Sequence, residues 1–169
     1  MAVPAEAPAP QDRITIRPLR ASDGVAVDAM HDRCSTASRR MRYFSAKPRL
    51  SPRVFERFLD RSRGTTLVVE GAPGEVVALG HMMRVAGPGA AELALLVEDG
   101  LQGRGLGRAL AERMLDLGRE QGLRELHASV LHDNTRIRRL LTSLGGRTSR
   151  TEDPSVLEIV IELREPASG

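Results

Sequence analysis

The sequence predicts an α+β domain in which helices flank one central mixed sheet. Three observations carry that reading. Strand-like runs at 65–70, 76–84 and 91–97 are separated by the tight turns Gly71-Ala72-Pro73-Gly74 and Gly87-Pro88-Gly89, the pattern of an antiparallel meander. The run at 91–97, the helical spacing of Leu106, Leu110, Met114 and Leu117, and a further strand at 126–131 form a strand–helix–strand crossover, which sets two strands parallel. Finally, a chain of 169 residues with 41% apolar content is long enough for one substantial core. With only 2% aromatic residues, aliphatic side chains must fill it.

The elements follow in order. Residues 1–12 read as a disordered leader, rich in alanine and proline. Ile14-Thr15-Ile16 opens a first strand, and Pro18 marks its end or an edge position. Ser22 or Asp23 can cap a helix running toward Cys34, with Val27, Met30 and Cys34 facing inward. Between 33 and 63 lie ten basic residues against Glu56 and Asp60, together with all four aromatic residues, Tyr43, Phe44, Phe55 and Phe58. Two amphipathic helices account for this stretch, the second capped by Ser51, started by Pro52 and burying Phe55, Phe58 and Leu59. They either cover the sheet with solvated arginines or also wall an acceptor cleft. Gly122 ends the helix of the crossover. Near 132–134 a cap starts a helix with the stripe Ile137, Leu140, Leu141 and Leu144, which Gly145-Gly146 stops. A last alternating strand covers 156–163. The expected division is a leader over 1–12, one domain over 13–164 and a tail over 165–169.

The chemistry concentrates at the start of the crossover helix, in Gln102-Gly103-Arg104-Gly105-Leu106-Gly107-Arg108. Each glycine inside a helix costs ~1 kcal/mol relative to alanine, so three near one helix start point to a group that must approach the backbone closely. A helix N-terminus is a positive end that usually attracts acids; this one carries Arg104 and Arg108 instead. That combination is unfavourable alone and favourable around an external anion such as a phosphate. A flexible turn with solvated arginines is the bland alternative. The stretch is not a Walker loop, since no Lys-Ser or Lys-Thr follows. Nor is it the dinucleotide fingerprint, because Arg108 stands where the third glycine belongs.

What fits is Gln-x-x-Gly-x-Gly, met by Gln102, Gly105 and Gly107, and here the chain resembles the GNAT superfamily of acyl-CoA-dependent N-acyltransferases. The resemblance covers roughly 13–164. It implies the GNAT fold, a mixed sheet of six to seven strands splayed between the fourth and fifth and flanked by about four helices. It also implies acetyl-CoA as co-substrate. Backbone N–H groups of 102–108 would wrap the coenzyme pyrophosphate. Exposed backbone around Leu95, Leu96 and Val97 would pair with the pantetheine arm and polarise the thioester carbonyl. Asn134 matches an asparagine that commonly contacts the coenzyme, and a helix cap is its other reading.

Amine acyl transfer needs a base, because an ammonium cannot attack a thioester before losing its proton. Glu92 interrupts an apolar strand and matches the glutamate that the family often carries there; if partly buried, its pKa would rise toward a useful value. Glu98, nearer the turn, reads as solvated. One departure is plain: the tyrosine that many members use to protonate the leaving thiolate falls at Leu141, which cannot donate. Tyr43 is the only tyrosine in the sequence. A narrower resemblance, to the catalytic domain of bacterial Pat-type protein lysine acetyltransferases, rests on Arg42-Tyr43-Phe44, Lys47-Pro48-Arg49-Leu50-Ser51, Ala91-Glu92-Leu93-Ala94 and the glycine-rich motif. That subgroup also lacks the tyrosine and uses the strand glutamate; its usual second domain finds no room in 169 residues.

Other classes recede. His31, His81, His127 and His132 show no ligand spacing, and with Cys34 the single cysteine, no metal is expected and no internal disulfide can form. His127 reads as a packing residue. No apolar run approaches membrane length, and no signal peptide is visible, so the expected location is cytoplasmic. A formal charge of +3 suits acidic ligands without indicating nucleic acid, for which no motif is present. The expectation is an N-acetyltransferase acting on a primary amine, either a protein lysine or a small molecule, in a ternary complex; a homodimer is compatible with it. The competing reading is an acyl-CoA-binding regulatory module without turnover, which Leu141 favours and Glu92 opposes.

Overall fold

In the computed structural model, residues 14–45, 47 and 49–163 are described; the expected leader over 1–12 and tail over 165–169 lie outside the described residues. The chain runs β1 (Thr15–Pro18), a 3-10 turn (Ala21–Asp23), α1 (Gly24–Arg33), α2 (Thr36–Tyr43), α3 (Pro52–Leu59), β2 (Gly64–Glu70), β3 (Val76–Arg84), β4 (Ala90–Val97), α4 (Leu106–Glu120), β5 (Glu125–Leu131), α5 (Thr135–Ser143), β6 (Arg147–Arg150) and β7 (Val156–Glu162). Seven strands form one sheet in the order β1-β2-β3-β4-β5-β7-β6. Only β4 and β5 pair in parallel; the other neighbours are antiparallel.

Each face of the sheet has its own core. On one, Leu106, Leu110, Met114 and Leu115 of α4 and Leu141 of α5 pack against Leu67, Ala78, Met82, Leu93, Leu126 and Ile159. On the other, Val27, Met30 and Cys34 of α1 meet Val68, Leu79 and Leu96, with Phe55, Phe58 and Leu59 of α3 alongside. Fully burying such a side chain contributes about 1.5–3 kcal/mol. The helix α4 lies close on β3: a Cβ added at Gly80 would sit 3.0 Å from Met114 Cε and 3.1 Å from Leu110 Cδ2.

Several local expectations meet the structure with a difference. Ser51 caps α3 by accepting from the Val54 N–H, and Ser35 caps α2 through the Ser38 N–H. Asp23 precedes α1 but caps nothing there; its carboxylate accepts from Arg17 and from the Arg20 N–H. β1 is an edge strand ending at Pro18, where a missing N–H does no harm. β6 shows no apolar alternation at all, its four residues being exposed and polar, so its sequence carries no strand signal; pairing with β7 makes it a strand.

Candidate functional site

The site begins where the sheet comes apart. β4 and β5 are in register only for Ala90↔Glu125, Ala91↔Leu126 and Glu92↔His127. On its other side β4 stays paired with β3 as far as Val97. The outer backbone edge of 93–97 is therefore without a strand partner. The gap is a small slot between Leu93, Ala94 and Leu95 of β4 and Ala128, Ser129 and Val130 of β5, closed by Met41 and Arg42 from α2 and by Ile137 and Leu141 from α5. It opens into a cleft of about 490 Å³ that passes Leu95, Leu96 and Val97 and reaches Gln102, Gly103, Gly105, Gly107 and Arg108. Asn134 borders both spaces.

At the far end, local backbone geometry explains the glycines. Gly103 and Gly105 have φ values of +76° and +85°, a left-handed conformation that L side chains resist. Gly105 is the N-cap of α4 and supplies no side-chain acceptor, and no acid lies in the first turn. The first N–H groups of a helix have no intrahelical acceptor, so these point outward as free donors at a positive helix end. Gly107 is different. Its absent Cβ would meet Leu140 and Val97 at ordinary contact distance, so the fold itself does not require glycine there.

Other side chains of the loop have definite positions. Gln102 Nε2 donates to the Val97 carbonyl at 2.9 Å and to Ser38 Oγ at 3.1 Å, tying the end of β4 to α2. Leu106 is buried in the core and offers the cleft only backbone. Arg108 is held by Ser143 Oγ at 2.6 Å and Glu112 at 3.4 Å, whereas Arg104 is exposed. Asn134 Oδ1 accepts from the Ile137 N–H, so it caps α5 and also borders the cleft. Sequence reasoning missed Arg136, which lines the cleft beside Gly103, and Ser38, Met41 and Arg42 of α2. For Arg42 the signal was the basic run before 63, which by itself cannot say which arginines turn inward; Arg136 lies outside that run.

Glu92 stands at the other end, where the strands begin to part. Contrary to partial burial, its side chain is exposed, on the sheet face that carries α1 to α3. Opposite it on β5 is His127, which is no packing residue: Nε2 lies 2.8 Å from Glu125 and Nδ1 3.0 Å from Glu158. The Glu158 contact, followed by that to Glu125, raises the His127 pKa above its ordinary value. Glu98, expected to be solvated, instead accepts from Arg33 Nε at 2.8 Å and is half-buried. Tyr43 is committed elsewhere. His31 Nδ1 donates to the Val27 carbonyl at 2.7 Å, so neutral Nε2 accepts from the Tyr43 hydroxyl at 2.7 Å. Burial favours that neutral form by lowering the His31 pKa, and pushes the Tyr43 pKa up to about 12. Leu141 is 1% exposed. Neither residue can replace the other as an acid in the slot.

Residues 13–147 match the acetyltransferase (GNAT) domain model, and the chain belongs to that family of acyl-CoA-dependent N-acetyltransferases. An acetyltransferase of Pseudomonas aeruginosa is 26% identical over 147 residues, which are 84% of this chain and 79% of the relative. The GNAT domain of S. lividans PAT superposes with a TM-score of 0.82 at 26% identity, covering 94% of this chain and 100% of that one. The spermidine N-acetyltransferase of Vibrio cholerae, solved with CoA and spermine, has the same fold, with a TM-score of 0.71 at 18% identity over 89% and 95% of the two chains. Among the described residues, no group of three or more His, Cys, Asp or Glu could hold a metal ion, and no helix is long and apolar enough to cross a membrane.

Proposed function

We propose that this acetyltransferase moves the acetyl group of acetyl-CoA to the side-chain amine of a protein lysine, by direct attack in a ternary complex. The observation that carries the reading is the interruption of the β4–β5 ladder after Glu92, continuous with a cleft that ends at the free N–H groups of α4. The coenzyme pyrophosphate sits on the backbone of 102–108, its negative charge answering the helix end. The side chain of Gln102, being occupied, holds the loop instead of the phosphate. Pantetheine lies along Leu95, Leu96 and Val97, where an extended amide chain can take the hydrogen bonds a strand would have made. The thioester then lies in the slot, with β4 N–H groups available to the developing oxyanion.

The acceptor reaches the thioester from the face that bears Glu92. That face is acidic around the opening, with Glu125 and Glu158 flanking His127, so it draws a cation. A lysine ammonium, ordinarily near pKa 10.4, loses a proton to Glu92 before its lone pair attacks. The resemblance to Pat-type protein lysine acetyltransferases at Arg42-Tyr43-Phe44 and Ala91-Glu92-Leu93-Ala94, together with the likeness to the GNAT domain of S. lividans PAT, supports a protein lysine. A small polyamine would suit the same charges.

The test is thiol release from acetyl-CoA with lysine peptides, polyamines and amino acids as acceptors. Turnover fastest with lysine peptides supports the proposal, whereas turnover confined to polyamines assigns a small-molecule acceptor. Coenzyme A that raises the melting temperature without turnover on any acceptor would favour the second reading, a binding module, to which the buried Leu141 gives its only structural support.

A further inference from the structure

Three arginines of α2 behave differently. Arg39 donates to the carbonyls of His31 and Cys34, and Arg40 pairs with Asp133. Arg42 makes no hydrogen bond or ion pair among the described residues, and its Nε is buried without an acceptor. Its guanidinium carbon lies 4.6 Å from the centroid of the Tyr43 ring. Glu92 acts on it only at a distance, without forming a pair. A half-buried cation without an ion-pair partner is costly, and an arginine cannot escape by deprotonating. Burial accordingly pushes the Arg42 pKa down. Within the fold only the Tyr43 ring and the distant Glu92 act on this charge, which leaves it without an ion-pair partner and points to a negative charge that arrives with the reaction.

The position says which charge. Arg42 borders both the cleft and the slot, and it is the only charged residue among those lining the slot. Leu141, standing where many relatives place a tyrosine, is another wall of the same slot. The carbonyl oxygen of a bound thioester has backbone N–H groups of β4 within the gap. Apart from Arg42, Ser129 and Asn134 the walls of the slot are apolar, Leu93, Leu95, Ile137 and Leu141 among them.

We propose that Arg42 stabilises the departing coenzyme A thiolate, supplying by charge what a tyrosine at 141 would supply by a proton. In the step, the amine lone pair forms the C–N bond and the carbonyl electrons move to oxygen. As they return, the C–S bond breaks and its electron pair leaves on sulfur beside the guanidinium. Two protons leave nitrogen, one to Glu92 before attack and one to water from the tetrahedral adduct; the thiolate is protonated later by solvent. This inference rests on the coenzyme placement proposed above.

The experiment follows the thiol of bound coenzyme A by its thiolate absorbance as pH is varied, in wild type, Arg42→Met, Arg42→Lys and Gly105→Ala. Neighbouring positive charge lowers a thiol pKa by about 1–3 units. The thiol should therefore titrate lower on wild type than free in solution, nearly as low on Arg42→Lys, and at or above its free value on Arg42→Met. The turnover number of Arg42→Met should fall ~10²–10³-fold, the scale of losing one preorganised electrostatic donor. Adding Leu141→Tyr to Arg42→Met should restore part of it. Tight binding of coenzyme A to wild type with an unshifted thiol overturns the role of Arg42 alone. Equal binding by wild type and Gly105→Ala overturns the coenzyme placement and this inference with it. A wild type at least tenfold faster with succinyl-CoA than with acetyl-CoA would assign Arg42 to an acyl carboxylate and overturn the proposal as well.

Discussion

Replacing Glu92 by glutamine separates catalysis from stability unusually well, because the side chain is exposed and makes no hydrogen bond or ion pair among the described residues. Surface changes of that kind stay within about 0.5 kcal/mol. For a chain of this length that is a melting shift of about 1–2 °C. The amide keeps the size and loses only the ability to take a proton. Losing a general base lowers the rate about 10²–10⁴-fold, or about 2.7–5.5 kcal/mol of activation free energy. The assay is colorimetric thiol release with a lysine peptide at saturating acetyl-CoA, across pH, beside a thermal melt of the same preparation. A Glu92→Gln protein that melts like wild type and keeps more than a tenth of its turnover would refute Glu92 as the base. So would a loss of activity accompanied by a large fall in melting temperature, since the residue would then be structural.

Other expectations follow from the same geometry. Gly105→Ala must hold a side chain at φ +85°, which costs about 1–2 kcal/mol, so the apo protein should melt several degrees lower and lose its stabilisation by coenzyme A. Arg17 holds Asp23 and Glu70 below the ordinary carboxylate range: for Asp23 the Arg17 hydrogen bond dominates, and for Glu70 the Gly74 N–H comes first and Arg17 second. Depressed carboxyls add stability above an unfolded pKa near 4 that is lost as pH falls through the folded values. The melting gap between wild type and Arg17→Met should thus be full at neutral pH and shrink in acid. For His127 the sign reverses: a raised folded pKa contributes stability below about pH 6.5 that disappears as pH rises through the folded value. Glu158→Gln should lower the His127 midpoint followed by NMR, and an unchanged midpoint would show that Glu158 does not hold the proton.

Much of this arrangement was written where periodicity is strong. The meander, the crossover helix and the stripe from Ile137 to Leu144 follow from alternation and from the spacing of leucines; Val27 and Met30 of α1 are buried as its pattern faces them, whereas the buried His31 was not marked by it. β6 was illegible because its four residues contain nothing apolar, and only tertiary pairing makes it a strand. Within the site, Gly103 and Gly105 announce their need for left-handed backbone. The side chain of Gln102 serves the fold, bonding the Val97 carbonyl. Arg42 could not be told from nine other basic residues in its segment, because inward direction depends on how α2 lies over β4. The exposure of Glu92 depends likewise on the helices that leave its end of the sheet uncovered.

The parted strands have a consequence for how the molecule keeps to itself. Unpaired strand backbone usually lies at the rim of a sheet, where it invites a neighbouring chain to add a strand and begin aggregation. Here the unpaired stretch 93–97 lies in the middle of the sheet beneath α2 and α5, with the slot of about 30 Å³ beside 93–95 and the larger cleft beside 95–97. The slot beside 93–95 is too narrow for a polypeptide strand with its side chains. The true rims are guarded by other means, Pro18 at one and Arg147 and Arg150 at the other. The protein thus keeps its unpaired backbone edge in the middle of the sheet, away from the rims where a strand of another chain would add.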